Sequence, residues 1–127
     1  MSDVPDKPID PARFQSENLP KYRWKTFFVE LEERFQGQPV NIVAGSDFLH
    51  SEPPTGTAPL AAVEYDSKHR GTFKHKGFLS FKTEGPDGET VNVDVPTIVW
   101  VYRDLDGPII GIEVIDEKNN RVVVRFA

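Results

Sequence analysis

The sequence predicts an α+β domain in which one N-terminal amphipathic helix packs on a curved, mainly antiparallel sheet of about six strands. Residues 90–126 alternate apolar and polar side chains in runs separated by turn sequences, which is typical of half-buried strands. Residues 24–35 carry apolar side chains at helical spacing. The chain has 127 residues, which is enough for one domain with its own core. Closure of the sheet into a small barrel is the alternative architecture.

Residues 1–13 differ in composition from the rest of the chain. They are rich in proline and charge and poor in large apolar side chains, so we predict a flexible arm. Residues 14–127 show no internal repeat and no second composition boundary. We therefore predict that they form a single α+β domain.

The predicted helix has a heavy aromatic load on one face. Its apolar residues recur at i, i+3, i+4, i+7 and i+11, and they are Trp24, Phe27, Phe28, Leu31 and Phe35. Pro20 fits the first helical turn, and Gly37 fits a left-handed residue after the last turn. We interpret the aromatic stripe as the surface that covers one face of the sheet.

Three strands are predicted between the helix and residue 90, at 38–44, 60–66 and 72–82. In the last of these, Leu79 and Phe81 share one face, and the lysines share the other. Gly77 interrupts the pattern and suggests a bulge. Residues 45–59 form a long connection without periodicity, which makes them a candidate binding loop with Phe48 and His50 as candidate contacts. The alternative is a solvated loop whose Phe48 folds back onto the core.

The strands within residues 90–126 are predicted to form the centre of the sheet. Pro96 cannot donate a ladder hydrogen bond, so we expect a bulge or an edge position there. Residues 98–102 are apolar on both faces, as in a strand covered on two sides. In the next strand, Ile110, Ile112 and Val114 are predicted to point inward and Glu113 outward. The last strand, 121–126, is so apolar that we expect it to be central or well paired.

Composition argues against several classes of function. The net charge of −5 argues against general nucleic-acid binding. The absence of cysteine removes disulfides, thiolate nucleophiles and Cys-based metal sites, and it fits a cytoplasmic location. No run approaches the roughly 18 apolar residues of a membrane span, and the polar N-terminal residues do not resemble a secretory signal. We predict a cytoplasmic protein that does not associate with membranes.

The most unusual local feature is a basic strand face between residues 66 and 82. Its candidate binding residues are Lys68, Arg70, Lys74, Lys76, Phe78 and Lys82. Such a face can dock an acidic partner or a phosphate group, and an aromatic ring between lysines adds a stacking surface for single-stranded nucleic acid. Lysines on an exposed strand also serve simply to prevent edge-to-edge aggregation. Both interpretations remain open at this point.

The sequence contains no pattern that points to catalysis. There is no nucleophile elbow, phosphate-binding loop, dinucleotide fingerprint or zinc-protease motif. The three histidines lack the spacing of a metal site. The acids at 104–106 and 116–117 lie in predicted turns, where carboxylates usually bond to the local backbone. We predict no catalytic residue, no metal and no cofactor.

Several short segments carry a resemblance to a known family. They are Trp24-x-x-Phe27-Phe28 ending at Gly37, Pro59-Leu60 with Tyr65-Asp66, Pro96-Thr97 with Trp100-Val101, Gly111-Ile112-Glu113-Val114, and the closing Val124-Arg125-Phe126. In this order they resemble a family of small bacterial single-domain proteins that is catalogued only as a domain of unknown function. The resemblance implies a bacterial, cytoplasmic protein and assigns no catalytic or binding residue.

Three hypotheses for function follow. The leading one is a non-catalytic binding or assembly module that uses the basic strand face, with an acidic protein or a second copy of the chain as its partner. The second is a small-molecule-binding or enzymatic domain with a pocket between helix and sheet, near Trp24, Tyr65 and Trp100. The third is a homo-oligomeric structural protein that associates through strand edges.

Overall fold

The computed structural model describes residues 14–45, 57–66, 77–86, 88–105 and 107–126. The described residues form one α-helix and a single antiparallel sheet of eight strands, which confirms the α+β class. The elements in chain order are β1 (Phe14–Asn18), a 3-10 turn (Lys21–Arg23), α1 (Trp24–Phe35), β2 (Pro39–Ala44), β3 (Ala58–Asp66), β4 (Phe78–Thr83), β5 (Thr90–Asp94), β6 (Pro96–Asp104), β7 (Ile109–Asp116) and β8 (Arg121–Phe126). No helix in these ranges has the length and apolar character that a bilayer crossing needs.

Three details of the predicted architecture are wrong. The helix is not N-terminal within the domain, because β1 precedes it and pairs with β6, with Phe14 opposite Asp104. The sheet has eight strands rather than about six. Its order is β1-β6-β7-β8-β2-β3-β4-β5, and the two end strands do not pair with each other, so the sheet is not closed into a barrel. The arm predicted at residues 1–13 lies outside the described residues.

A corner at Val95 bends the chain between β5 and β6. Val95 has a φ of 53°, a left-handed conformation that costs a side-chain-bearing residue about 1–2 kcal/mol. Two backbone hydrogen bonds hold the corner: the Val95 N–H donates to the Gly77 carbonyl, and the Glu117 N–H donates to the Val95 carbonyl, both at 3.1 Å. The β6–β7 register shifts between Pro96 and Ile98, which fits the bulge that is one of the two alternatives predicted at this proline.

The aromatic stripe of α1 occupies the core, as predicted. Trp24, Phe28, Leu31 and Phe35 are buried, and the Phe28 ring lies 6.2 Å from that of Phe81 on β4. The indole N–H of Trp24 donates to the carbonyl of Leu19 at 2.9 Å, so the buried ring keeps its polar atom satisfied. The helix begins at Trp24, after the 3-10 turn, rather than directly after Pro20.

The strands nearest the C-terminus combine confirmed and wrong predictions. The last strand, β8, lies between β7 and β2, which confirms its central position. Residues of β6 are covered on both faces, as predicted. Ile110, predicted to point inward, packs on the opposite face, while Ile109 and Ile112 join the main core. The cause is an irregularity in the β6–β7 pairing between Tyr102 and Arg103, which shifts the alternation by one position.

The edge of β3 that faces away from β4 is covered by α1 and the turn that follows it. The chain reverses at Gly37, whose φ of +85° confirms the predicted left-handed residue. Its N–H donates to the Leu60 carbonyl at 2.8 Å, and the Leu60 N–H donates to the Gln38 carbonyl at 2.9 Å. Farther along the same edge, the Val63 N–H donates to the carboxylate of Glu32 on α1 at 2.7 Å. Helix side chains therefore replace a neighbouring strand.

Glu32→Ala should destabilise the protein by about 1–3 kcal/mol, because it leaves the part-buried Val63 N–H without its acceptor. Glu32→Gln keeps an acceptor oxygen and should lose less. Glu33→Ala is the matched control: its side chain is exposed on the same helix, and its effect should stay within about 0.5 kcal/mol. Urea unfolding measures all three variants. Equal losses for Glu32→Ala and Glu33→Ala would show that the contact contributes nothing.

The turn between β7 and β8 is organised by one carboxylate. Asp116 accepts hydrogen bonds from the N–H of Lys118 at 2.8 Å and from the N–H of Asn120 at 2.9 Å. Asn119 adopts the left-handed conformation predicted for this turn, with a φ of 65°. Partial burial acts to raise the pKa of Asp116, but the hydrogen bonds from Asn120 and Lys118 outweigh it and hold the pKa below its ordinary value.

Asp116→Ala should lower the melting temperature by a few degrees at pH 7, because the ionised carboxylate is preferred in the folded state. A carboxyl group whose pKa is lowered in the folded state stabilises the protein at pH values above its ordinary pKa. This stabilisation is lost as the pH falls through the lowered pKa. The difference from wild type should therefore be constant above about pH 5 and shrink below about pH 4. Glu84→Ala, at an exposed carboxylate, is the control. A difference independent of pH down to pH 2 would refute this role for the carboxylate.

Candidate functional site

Most residues of the predicted basic face lie outside the described part of the chain. Lys68, Arg70, Lys74 and Lys76 lie outside the described residues, as do the loop candidates Phe48 and His50. Phe78 and Lys82 lie on β4, where they alternate with the buried Leu79 and Phe81, so they share the face opposite to the core.

The described part of that face is acidic. Phe78 lies opposite Asp66 of β3 on one side and Asp94 of β5 on the other. Glu64 lies opposite Ser80, so the described residues of this face carry three carboxylates and one ammonium, that of the exposed Lys82. The basic-face hypothesis therefore depends on the cations outside the described residues.

The three aromatic residues named for a pocket between helix and sheet do not come together as a set: two are in contact and the third lies on the other face of the sheet. Trp24 and Tyr65 are in edge contact with ring centroids 5.7 Å apart, and this contact is part of the core. Trp100 packs on the other face of the sheet, with Tyr102 and Val123. Burial, with a smaller contribution from the Asp66 charge, raises the pKa of Tyr65 above its ordinary value.

A part-buried ion pair lies on the face of the sheet opposite to α1. The side chain of Glu113 is 2% exposed and accepts from Arg121 at 2.6 Å and from the Tyr102 hydroxyl at 3.5 Å. On the same face, burial lowers the pKa of Arg125 below its ordinary value. These contacts satisfy the Glu113 carboxylate internally, so we interpret the cluster as structural.

A hollow of about 590 Å³ lies at the β7–β8 turn, next to Asn92, Asn119 and Arg121. Its carboxylate, Asp116, already bonds to the turn backbone. The Asp116 carboxylate therefore stabilises the turn, and the hollow is a weaker candidate for a binding site.

The strongest candidate site is a groove of about 450 Å³ between α1 and the sheet. Its apolar floor comes from the inner flank of the helix and from β7. Three arginines from three different elements line it: one from the 3-10 turn, one from the last turn of α1 and one from β6. The lining residues are Tyr22, Arg23, Thr26, Phe27, Glu30, Leu31, Arg34, Arg103 and Ile109. We call this site the arginine groove.

The two ends of the arginine groove differ electrostatically. At one end Glu17 of β1 contacts Arg23 at 3.3 Å and Arg103 at 3.9 Å. At the other end Arg34 makes no ion pair with any residue in the described part of the chain, and its guanidinium lies 5.6 Å from the centre of the Phe35 ring. Three guanidiniums against the carboxylates of Glu17 and Glu30 leave the groove with a net positive charge in an acidic protein.

An exposed aromatic side chain, that of Tyr22, lines the arginine groove. Within the described ranges, the large hydrophobic residues left exposed are Tyr22, Val29 and Leu105, at 86%, 53% and 55%. Tyr22 lines the groove, Val29 is on the solvent side of the same helix, and Leu105 follows Arg103 by two positions. A site that combines cationic and exposed apolar groups is typical of a surface that binds a partner.

Sequence reasoning did not find the arginine groove. Thr26, Glu30 and Arg34 are spaced four residues apart, so they lie on one side of the helix, next to the aromatic stripe. This spacing is visible in the sequence. Arg103 follows Val99 and Val101 on the face of β6 that packs against α1, but Ile109 reaches the same groove through the irregular β6–β7 pairing, which no local pattern specifies. In the described part of the chain no group of three His, Cys, Asp or Glu side chains is arranged to hold a metal ion.

Comparison of the chain with protein-family models, with curated proteins and with solved structures finds no significant match. The resemblance to a bacterial family of unknown function therefore stays a prediction, as does the cytoplasmic location.

Proposed function

We propose that the protein is a non-catalytic binding module that takes an anionic ligand in the arginine groove. One observation carries this proposal: arginines from three separate elements line one groove, together with apolar side chains. Arginine side chains form paired, planar hydrogen bonds with carboxylates and phosphates, which makes such a groove suited to anions.

The chemistry of these side chains favours binding over catalysis. The guanidinium of arginine stays protonated throughout the physiological pH range, so Arg23, Arg34 and Arg103 can hold a charge but cannot exchange protons with a substrate. The carboxylate nearest to them, Glu17, is 41% exposed and engaged with two of the three arginines. The groove thus offers fixed charge and shape rather than an acid–base pair.

The second hypothesis, a small-molecule site between helix and sheet, applies to the same groove. Its volume of about 450 Å³ lies within the roughly 300–1,000 Å³ typical of ligand pockets. The groove differs in place from the pocket expected near Trp24 and Tyr65. Reversing the charge of the groove arginines would abolish the binding of an anionic small molecule and of an anionic partner alike. The same variants therefore test both hypotheses.

Arg34→Glu combined with Arg103→Glu should weaken the binding of fluorescein-labelled hexaglutamate by at least about tenfold, because each charge-assisted contact contributes about 1.5–3 kcal/mol. Fluorescence anisotropy at low ionic strength measures the affinity. Lys25→Glu is the matched control, since Lys25 is exposed on the same helix and does not line the groove. Its melting temperature and that of the double variant verify the fold.

Two results would refute the groove as the anion site. One is a wild-type protein that does not bind hexaglutamate at low salt. The other is a double variant that binds as tightly as the Lys25→Glu control while retaining its melting temperature.

A further inference from the structure

The spacing of charges in the arginine groove restricts the shape of its ligand. Arg23 and Arg34 are eleven residues apart on the 3-10 turn and α1, and Arg23 already has helical dihedral angles. At 1.5 Å per residue their Cα atoms lie about 16 Å apart. This Cα separation is far more than the width of one phosphate or carboxylate, so each of the two arginines can receive its own negative group.

Between Arg23 and Arg34 the arginine groove is lined by the polar Thr26 and Glu30 and by apolar side chains. The apolar groups are Phe27 and Leu31 from the helix and Ile109 from β7, and the exposed ring of Tyr22 stands beside Arg23 in the sequence. A ligand that satisfies all of these groups carries negative charges near its ends and an apolar group between them. An extended peptide advances about 3.3 Å per residue, so two acidic residues about four to five positions apart match the distance between the two charged ends.

Glu17 already occupies one end of the groove. Its two carboxylate oxygens contact Arg23 and Arg103, and all three side chains are partly exposed, at 41%, 48% and 32%. Ion pairs with this much exposure are weak, because solvent screens them and both side chains lose freedom when they pair. A carboxylate of a bound partner can therefore replace Glu17 at little cost.

We propose that the arginine groove takes an extended acidic peptide segment, with carboxylates at both ends and an apolar side chain between them, and that Glu17 is the internal carboxylate this segment displaces. The inference rests on the proposed function, since it names the partner of the same site. Arg34 receives one end of the segment directly. Arg23 and Arg103 receive the other end after Glu17 turns away.

A peptide fits the groove better than a nucleic acid strand does. The phosphates of a strand are more closely spaced than the two cationic ends of the groove, and the apolar floor between those ends has no cation to meet the phosphates in between.

The test uses the full-length protein and short labelled probes. The main probe is an acetylated, amidated peptide Glu-Ala-Leu-Ala-Glu, compared with Gln-Ala-Leu-Ala-Gln and with Glu-Ala-Ala-Ala-Glu. Inorganic phosphate and a ten-residue oligothymidylate are the other arms. Affinities are measured for wild type, for Glu17→Gln, and for the control Glu33→Gln, whose side chain is exposed on α1 and does not line the groove.

Glu17→Gln should bind the Glu-Ala-Leu-Ala-Glu probe about threefold to tenfold more tightly than wild type, because it removes the competing carboxylate. The gain should shrink in 0.5 M salt, where the screening length falls to a few ångströms. Glu33→Gln should change the affinity less than twofold, and the two control peptides should bind more weakly than the main probe to every variant.

Each contrary outcome overturns a defined part of the inference. Equal affinity of wild type and Glu17→Gln, with binding present, refutes displacement of Glu17 and leaves the proposed function in place. Tighter binding of phosphate or oligothymidylate than of the peptide refutes the peptide class. Equal binding of the leucine and alanine peptides refutes the apolar contact. Absence of binding to every probe by both proteins refutes the proposed function and this inference together.

Discussion

The hydrogen bond from the Val63 N–H to the Glu32 carboxylate couples the helix to the sheet, and the rest of the architecture depends on that coupling. Strand β3 pairs with β2 over only two positions, beginning with Pro39 opposite Pro59, so most of one β3 edge has no strand beside it. Unpaired backbone groups at a buried edge are costly. The helix resolves this cost because it lies along the edge and supplies polar side chains, while its aromatic stripe fills the space under the sheet.

The same helix creates the arginine groove. Its buried stripe fixes the depth and rotation of α1, and the adjacent flank then carries Arg34 toward β6 and β7. Strand β1 contributes Glu17 at the sheet edge, where it meets Arg103. The candidate site is therefore a consequence of how the core is packed: a helix seated elsewhere would separate the three guanidiniums. Core packing and proposed binding are linked through a single element.

Local sequence patterns predicted the elements in which buried side chains recur at the period of a helix or a strand. The stripe from Trp24 to Phe35 and the apolar strand β8 have strong periods of 3.6 and 2.0, so their buried faces were readable from sequence. Strand β1 was not predicted, because Gln15, Ser16 and Glu17 are polar and its order comes from pairing with β6. The one-residue error at Ile110 has the same origin, since irregular pairing is a property of two strands together.

The burial of Glu113 and the arginine groove were also beyond sequence reasoning. Glu113 occupies an outward position in the strand pattern, as predicted, but Arg121 and Tyr102 close over it from neighbouring strands. The groove joins residues 22–34 with residues 103–109, and only the tertiary fold brings these segments together. Pairs of this kind depend on strand order, which composition and periodicity do not encode.

Native-state hydrogen exchange of the Leu60 and Val63 amides tests the central claim most directly. If α1 and its turn cover the β3 edge, both amides exchange only when the whole domain unfolds, and their opening free energies equal the global stability measured by urea. Exchange of Val63 at the rate of an unstructured amide, in a protein that is otherwise folded, would contradict the account.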